Sequence, residues 1–213
     1  MAKPIIVCDI DEVIVNISPK WVHKAIHDKA CLLRIRNQDV LITHRDTPDK
    51  LNALVLDRLN YNLIEWLKLP SSVHKHFINL YAKDGIFYEG LSLTKFAYGL
   101  LSTPQARHVV FISHVISDET EESKRNFMRR YFKNIDYELH TIPRDKKKSE
   151  VIASICPNFD VCVDDDVDNL IDMAQYIKEG GYLLAPNTGY TLANVYRLEP
   201  IVKEKKLNMQ VFE

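Results

Sequence analysis

No stretch of the 213-residue sequence stays apolar for the roughly 20 residues that a membrane-spanning helix needs. The opening residues, MAKPIIVCDIDE, hold one lysine and a short apolar run cut by acids, which does not read as a secretory leader. Neither charge sign dominates: the formal net charge is −1, which removes any global electrostatic case for nucleic acid or an anionic membrane as the main partner. The cysteines Cys8, Cys31, Cys156 and Cys162 show no CxxC or other metal-ligand spacing. Cys8 and Cys162 fall inside strand-like runs, where a buried thiol behaves as a small apolar residue. A reducing, cytoplasmic setting is therefore expected. His23 and His27 share a helical face, but the glutamate and third ligand of a zinc motif are missing. Internal repeats and low-complexity segments are also lacking. What remains is an ordinary globular balance, 46% hydrophobic and 27% charged, long enough for one domain with an inserted module or for two small domains.

Short apolar runs recur, each ended by polar residues: 5–8 (IIVC), 108–112 (HVVFI), 159–163 (FDVCV) and 182–185 (YLLA). Continuous rather than alternating apolar strands point to a parallel sheet buried on both faces. Helical patterns fall between them. Residues 118–132 begin with an acid-rich turn and end with basic residues, as the helix dipole favours. Residues 148–155 place Val151, Ile152 and Ile155 on one face, and a helix over 168–181 is expected to stop at Gly180 and Gly181. The expected fold class is α/β, a doubly wound parallel sheet.

Residues 16–85 break that rhythm and read as a mainly helical cap inserted after the first strand, leaving 1–15 and 86–213 as the core. One helix is expected from Ser18. Another is expected from Thr47 and Pro48 through Leu51, Leu54, Val55, Leu59, Leu63, Trp66 and Leu67, stopping before Pro70. This segment holds 11 Lys/Arg against 7 Asp/Glu and five of the eight histidines. Such an excess suits either a solvated surface or a lid over an anionic substrate.

Ligands of such sheets bind beyond the carboxyl ends of the strands. At those ends the sequence sets Asp9 and Asp11, then Ser113 and His114, then Asp164, Asp165, Asp166 and Asp168, with Lys146, Lys147 and Lys148 opening the helix before the last acids. Clustered carboxylates repel one another unless a cation neutralises them, and an all-oxygen ligand set suits Mg²⁺.

These residues, in this order, resemble the four motifs of the haloacid dehalogenase-like (HAD) phosphohydrolases: Asp-x-Asp after a strand in VCDIDEVIV, a strand ending in Ser in VVFIS, a lysine in KKKSEVI, and acids after a strand in VCVDDDVDN. The resemblance spans residues 5 to about 170, with the cap unmatched. It implies a HAD-like Rossmannoid core and a Mg²⁺-dependent phosphatase. Asp9 would be the nucleophile and Asp11 the acid and base, with Ser113 and Lys148 on the phosphoryl oxygens. The metal would be held by Asp9, Asp11 through its carbonyl, and Asp165, with Asp164 a ligand through water or a supporting group. KSEVI resembles the phosphoserine phosphatase and polynucleotide kinase–phosphatase version of the lysine motif. PRDK resembles the deoxyribonucleotidase version, which would choose Lys146. Lys148 is favoured because it shares a helical face with Val151, Ile152 and Ile155. Glu12 stands where the family commonly has glycine.

GIFYEGLSLTKFAYGLL resembles the segment of 5′(3′)-deoxyribonucleotidases that carries paired aromatics before a helix. Phe87 and Tyr88 would then stack on a base, and His114 would contact the substrate. The expected substrate is a small phosphorylated molecule, a nucleoside or deoxynucleoside monophosphate. The alternatives are a polynucleotide 3′-phosphatase, the one reading in which nucleic acid is a partner, a phosphatase for another metabolite, or a non-catalytic HAD-like binding protein. Oligomeric state is not legible.

Overall fold

The computed structural model describes residues 3–27, 47–66, 84–103 and 107–213, with Lys75 and Asn79. Six parallel strands form one sheet: β1 (Ile5–Cys8), β2 (His108–Val115), β3 (Tyr137–Pro143), β4 (Phe159–Val163), β5 (Ile177–Pro186) and β6 (Asn208–Phe212). They lie in the order β3-β2-β1-β4-β5-β6. The chain winds outward from β1 to one edge, returns beside β1, and winds to the other edge, so the reversal point lies between β1 and β4. Ile6 pairs with Val109 on one side and Val161 on the other.

Side chains alternate along each strand, and the inner strands are apolar on both faces. Ile6, Cys8, Val109, Phe111 and Val163 belong to one apolar cluster; Val7, Val110, Ile112 and Cys162 belong to the opposite one. Helices cover both faces. α1 (Ser18–His27), α2 (Pro48–Leu56), α3 (Leu63–Trp66) and α4 (Lys95–Ser102) precede β2. α5 (Asp118–Tyr131), α6 (Lys148–Ile155), α7 (Val167–Met173), α8 (Gly189–Asn194) and α9 (Glu199–Lys205) follow.

Several expected boundaries are corrected. The helix expected from Pro48 to before Pro70 is two helices, because α2 ends at Leu56 and the chain turns over 57–62 before α3. Its expected end at Leu67 to Pro70, and the part of the Ser18 helix beyond His27, lie outside the described residues. The helix expected over 168–181 ends at Met173, and Ile177 already belongs to β5. Gly180 and Gly181 lie within that strand, where the register against β4 shifts between Phe159 and Val161. Gly180 has φ 79°, and a Cβ on Gly181 would sit 2.5 Å from the Asp160 carbonyl oxygen, so both need glycine. β2 runs on through Val115, which puts Ser113 and His114 in the strand itself.

β1 and β4 are also fastened by a side chain. Asp160 accepts from the Ile5 amide at 2.8 Å and from Lys178 at 3.0 Å. Partial burial works against its charge, but the two donors outweigh that and hold the carboxyl below its ordinary value. A lowered native pKa adds stability above the unfolded value that is lost as pH falls through the native one. Asp160→Asn is expected to cost about 1 kcal/mol near neutral pH, with wild-type and variant thermal midpoints converging as pH falls below the usual carboxylate range.

Candidate functional site

The apolar run of β1 ends at Cys8, and the next backbone bond crosses to the neighbouring strand, the Asp9 amide donating to the Val163 carbonyl at 2.9 Å. This sets Asp9 beside Asp164. The chain then turns tightly, with Glu12 N–H on the Val15 carbonyl and Ile14 N–H on the Ile10 carbonyl. Thr94 ties the turn from outside, its amide donating to Ile14 and its hydroxyl to the Val13 carbonyl.

Asp9, Asp164 and Asp165 each offer a carboxylate oxygen within 4.8 Å of the others, and all three are buried. Lys148 comes into this cluster from the first position of α6, 3.0 Å from Asp9 Oδ1 and 2.7 Å from Asp164 Oδ2. The Asp9 contact is close but poorly directed, and Asp9 Oδ1 has no hydrogen-bond partner. Burial disfavours charge on both Lys148 and Asp9. The acids nevertheless push the ammonium up, and Lys148 with Lys124 holds the Asp9 carboxyl below the usual range. Burial and the Asp9 charge push the Asp164 carboxyl up to about 7, even with Lys148 and Asn169 donating to it. Burial, Asp164 and Asp9 push Asp165 well above its ordinary value. One lysine does not neutralise three buried acids, so the cluster has the charge and the spare oxygen to take a cation.

Asp11 points away from the triad. Its Oδ1 accepts from the Tyr88 hydroxyl at 2.6 Å and its Oδ2 from Lys124 at 3.1 Å. Lys124, 1% exposed, also donates to Ser113 Oγ at 2.8 Å and to the His114 carbonyl at 2.9 Å. It therefore fixes Ser113 and Asp11 together. The sequence marks Lys124 only as a lysine on the helix after HVVFIS, a feature that resembles the deoxyribonucleotidases; its contacts are not legible there. The available signal was its helical face, shared with buried Thr120, Ser123, Phe127 and Met128, which a solvated lysine would avoid.

A cavity of about 400 Å³ opens over these groups, lined by Asp9, Asp11, Ser113, His114, Lys148 and Asp165 on the sheet side. The His114 ring donates from Nε2 to the Lys146 carbonyl at 2.9 Å, and burial lowers its pKa. The Lys146 side chain is exposed, and Lys147 pairs with Asp172 on the surface, so only Lys148 of the three is buried in the cluster. Phe87 and Tyr88, expected to stack on a base, are placed differently: both are fully buried and neither lines the cavity. Phe87 packs between Trp21 and Tyr88 at 5.6 Å from each, because α1 covers this turn. Among the described residues, the aromatics that line the cavity are Trp21 and Tyr61.

Glu12 closes the gap left in the motif. It adopts φ 60°, a conformation that explains a glycine at this position and costs a larger residue about 1 kcal/mol or more. Its Oε1 accepts from the Ser18 amide at 2.7 Å and from the Ser18 hydroxyl, and Arg58 Nη2 donates to the same hydroxyl at 3.0 Å. Burial pushes its carboxyl up. Glu12 thus anchors the start of α1 to the loop that carries both motif aspartates.

No family model matches the chain, and no curated protein matches it. A search of solved structures found a magnesium-bound crystal structure of YfnB from Bacillus subtilis, assigned as a HAD-hydrolase and noted for interdomain movement. It is 12% identical over 88% of each chain, with a TM-score of 0.44. Likeness at that level carries no inference about chemistry.

Proposed function

We propose that this chain is a Mg²⁺-dependent phosphomonoester hydrolase of the HAD type, with residues 16–85 as its cap. The observation that carries the reading is the Asp9 carboxylate, held beside the buried Lys148 and facing two further acids, at the floor of a cavity. Mg²⁺ fits: Asp9, Asp164 and Asp165 with the Asp11 carbonyl would hold it, and it would supply charge neutralisation between the acids and a phosphoryl group.

Asp9 attacks phosphorus, the P–O ester bond breaks, and the departing oxygen takes a proton from Asp11. Water then attacks the aspartyl phosphate while Asp11 accepts its proton, releasing orthophosphate and restoring Asp9. Tyr88 and Lys124 hold both Asp11 oxygens on the side away from the triad, so this role requires one of these oxygens to be released toward the leaving oxygen. Ser113 and Lys148 hold the remaining phosphoryl oxygens, the lysine as a fixed positive charge.

A cavity of about 400 Å³ suits a small phosphorylated molecule better than a polymer. Trp21 and Tyr61 on its wall favour a nucleoside monophosphate. Turnover of p-nitrophenyl phosphate should require Mg²⁺ and vanish in EDTA. Across nucleoside monophosphates, sugar phosphates and a 3′-phosphorylated oligonucleotide, kcat/KM should be highest for a mononucleotide. A clear win for sugar phosphates would refute the nucleotide assignment, and no turnover of any would refute the phosphatase.

A further inference from the structure

Asp165 is held from a part of the chain that the four motifs do not include. The Tyr190 hydroxyl donates to its Oδ2, and Thr191 Oγ1 donates to its carbonyl at 2.8 Å, both from the start of α8. Tyr190 is 2% exposed. Its ring is in turn held by the segment between β1 and β2. The Arg58 guanidinium carbon lies 4.6 Å from the ring centroid, and Tyr61 meets the ring edge-on at 5.2 Å. The backbones touch as well: a Cβ on Gly189 would stand 2.5 Å from the Asp57 carbonyl oxygen and 2.6 Å from that of Arg58. Arg58 also reaches the Asp9–Asp11 loop through Ser18 and Glu12.

We propose that Tyr190 is a positioning residue for Asp165, and that Arg58 and Tyr61, by holding the Tyr190 ring, let the segment between β1 and β2 set the affinity of the acidic triad for a divalent cation. Three carboxylates in one buried cluster repel one another, and a carboxylate with a free torsion turns away from its neighbours. A hydroxyl on Oδ2 fixes that torsion and keeps the other Asp165 oxygen available. A group that orients a ligand in this way typically changes metal affinity about 10- to 100-fold. The cavity lies between the same segment and the sheet, with Arg58 and Tyr61 in its wall. Filling it with substrate therefore presses on the residues that hold Tyr190, and coupling of this kind is reciprocal. The inference rests on the cation site of the proposed function, not on the identity of the substrate.

The test is calorimetric titration of Mn²⁺ alone into the full chain and its Tyr190→Phe, Arg58→Gln and Tyr61→Leu variants, with thermal midpoints in EDTA as the folding control. Tyr190→Phe is expected to weaken Mn²⁺ binding about 10-fold or more. Arg58→Gln discriminates by sign. Coulomb's law alone makes removal of a nearby cation tighten Mn²⁺ binding, whereas positioning makes it weaker, by about threefold or more on the same scale. Tyr61 is half exposed, so Tyr61→Leu carries this arm if Arg58→Gln does not fold; it too should bind more weakly. Equal binding by wild type and Tyr190→Phe, or tighter binding by Arg58→Gln, overturns the inference and leaves the phosphatase standing. Mn²⁺ binding with the expected losses, but no phosphatase turnover, supports the inference and removes the proposed reaction. No Mn²⁺ binding by the wild type overturns both.

Discussion

Asp9→Asn should lower kcat for p-nitrophenyl phosphate by at least about 10⁴-fold while KM changes little, because an amide cannot form the acyl-phosphate bond on which both half-reactions depend. The alternative is that Asp9 is only one of three interchangeable acids around a cation. In that case the loss appears as weaker metal binding and is recovered at high Mg²⁺. A loss that persists at saturating Mg²⁺ separates the nucleophile from the ligand. The variant should stay folded: it gives up the Lys148 ion pair with Asp9 but keeps the one with Asp164, and it removes a charge that raises the pKa of both other acids. Asp11→Asn makes the complementary case. Its leaving-group step fails least with p-nitrophenolate, which needs little protonation, while the second half-reaction still needs a base. A phosphorylated protein that accumulates in Asp11→Asn and not in Asp9→Asn would support both roles, and phosphorylation of Asp9→Asn would refute them.

Lys148→Met should have the second large effect, and on stability as well as activity. Lys148 is 2% exposed and faces Asp9 and Asp164, at 6% and 0%. Removing one partner of a buried ionic cluster typically costs about 3–5 kcal/mol, since the remaining charges are left uncompensated. Loss of a fixed positive charge on the phosphoryl group should lower kcat by about 10²- to 10³-fold. The two effects part on adding Mg²⁺. A divalent ion replaces the missing charge among the acids, so the variant's thermal midpoint should rise more with Mg²⁺ than the wild type's, while kcat stays low. Lys146→Met, at an exposed side chain, should change neither by more than a small factor. If Lys146→Met is the variant that loses activity, the assignment of the lysine fails.

The strands that are legible share one property: each is paired on both sides, with helices over both faces of the sheet. β1, β2, β4 and the centre of β5 occupy the inner sheet, so their sequences are continuous apolar runs. β3 (YELHTIP) and β6 (NMQVF) were not read, and they are the two edge strands. An edge strand has one side open to solvent, so its polar residues erase the apolar run on which the reading depends. The 168–181 helix was overextended for a related reason. A glycine pair after a helical pattern signals a C-cap by default, and only the neighbouring strand shows that Gly181 is needed because the Asp160 carbonyl passes where its Cβ would be.

The sequence by itself determined the doubly wound sheet and set Asp9, Asp11 and the acids of residues 164–168 past the ends of adjacent strands, while Ser113, expected there too, lies inside β2. Local rules suffice there: an apolar run makes a strand, strand ends meet at one rim, and acids just beyond them must meet too. Only the tertiary structure decided which side chains hold those acids. Lys124 reaches Asp11 across 113 positions of sequence, Tyr88 across 77, and Tyr190 holds Asp165 with a ring clasped by Arg58. No spacing in the chain encodes these pairs, because they arise where separate helices and turns close over the same buried charges. Phe87 and Tyr88 make the point in reverse. Their chemistry suited a base, but α1 covers Phe87 and α5 packs on Tyr88, and among the described residues the aromatics in the cavity wall are Trp21 and Tyr61.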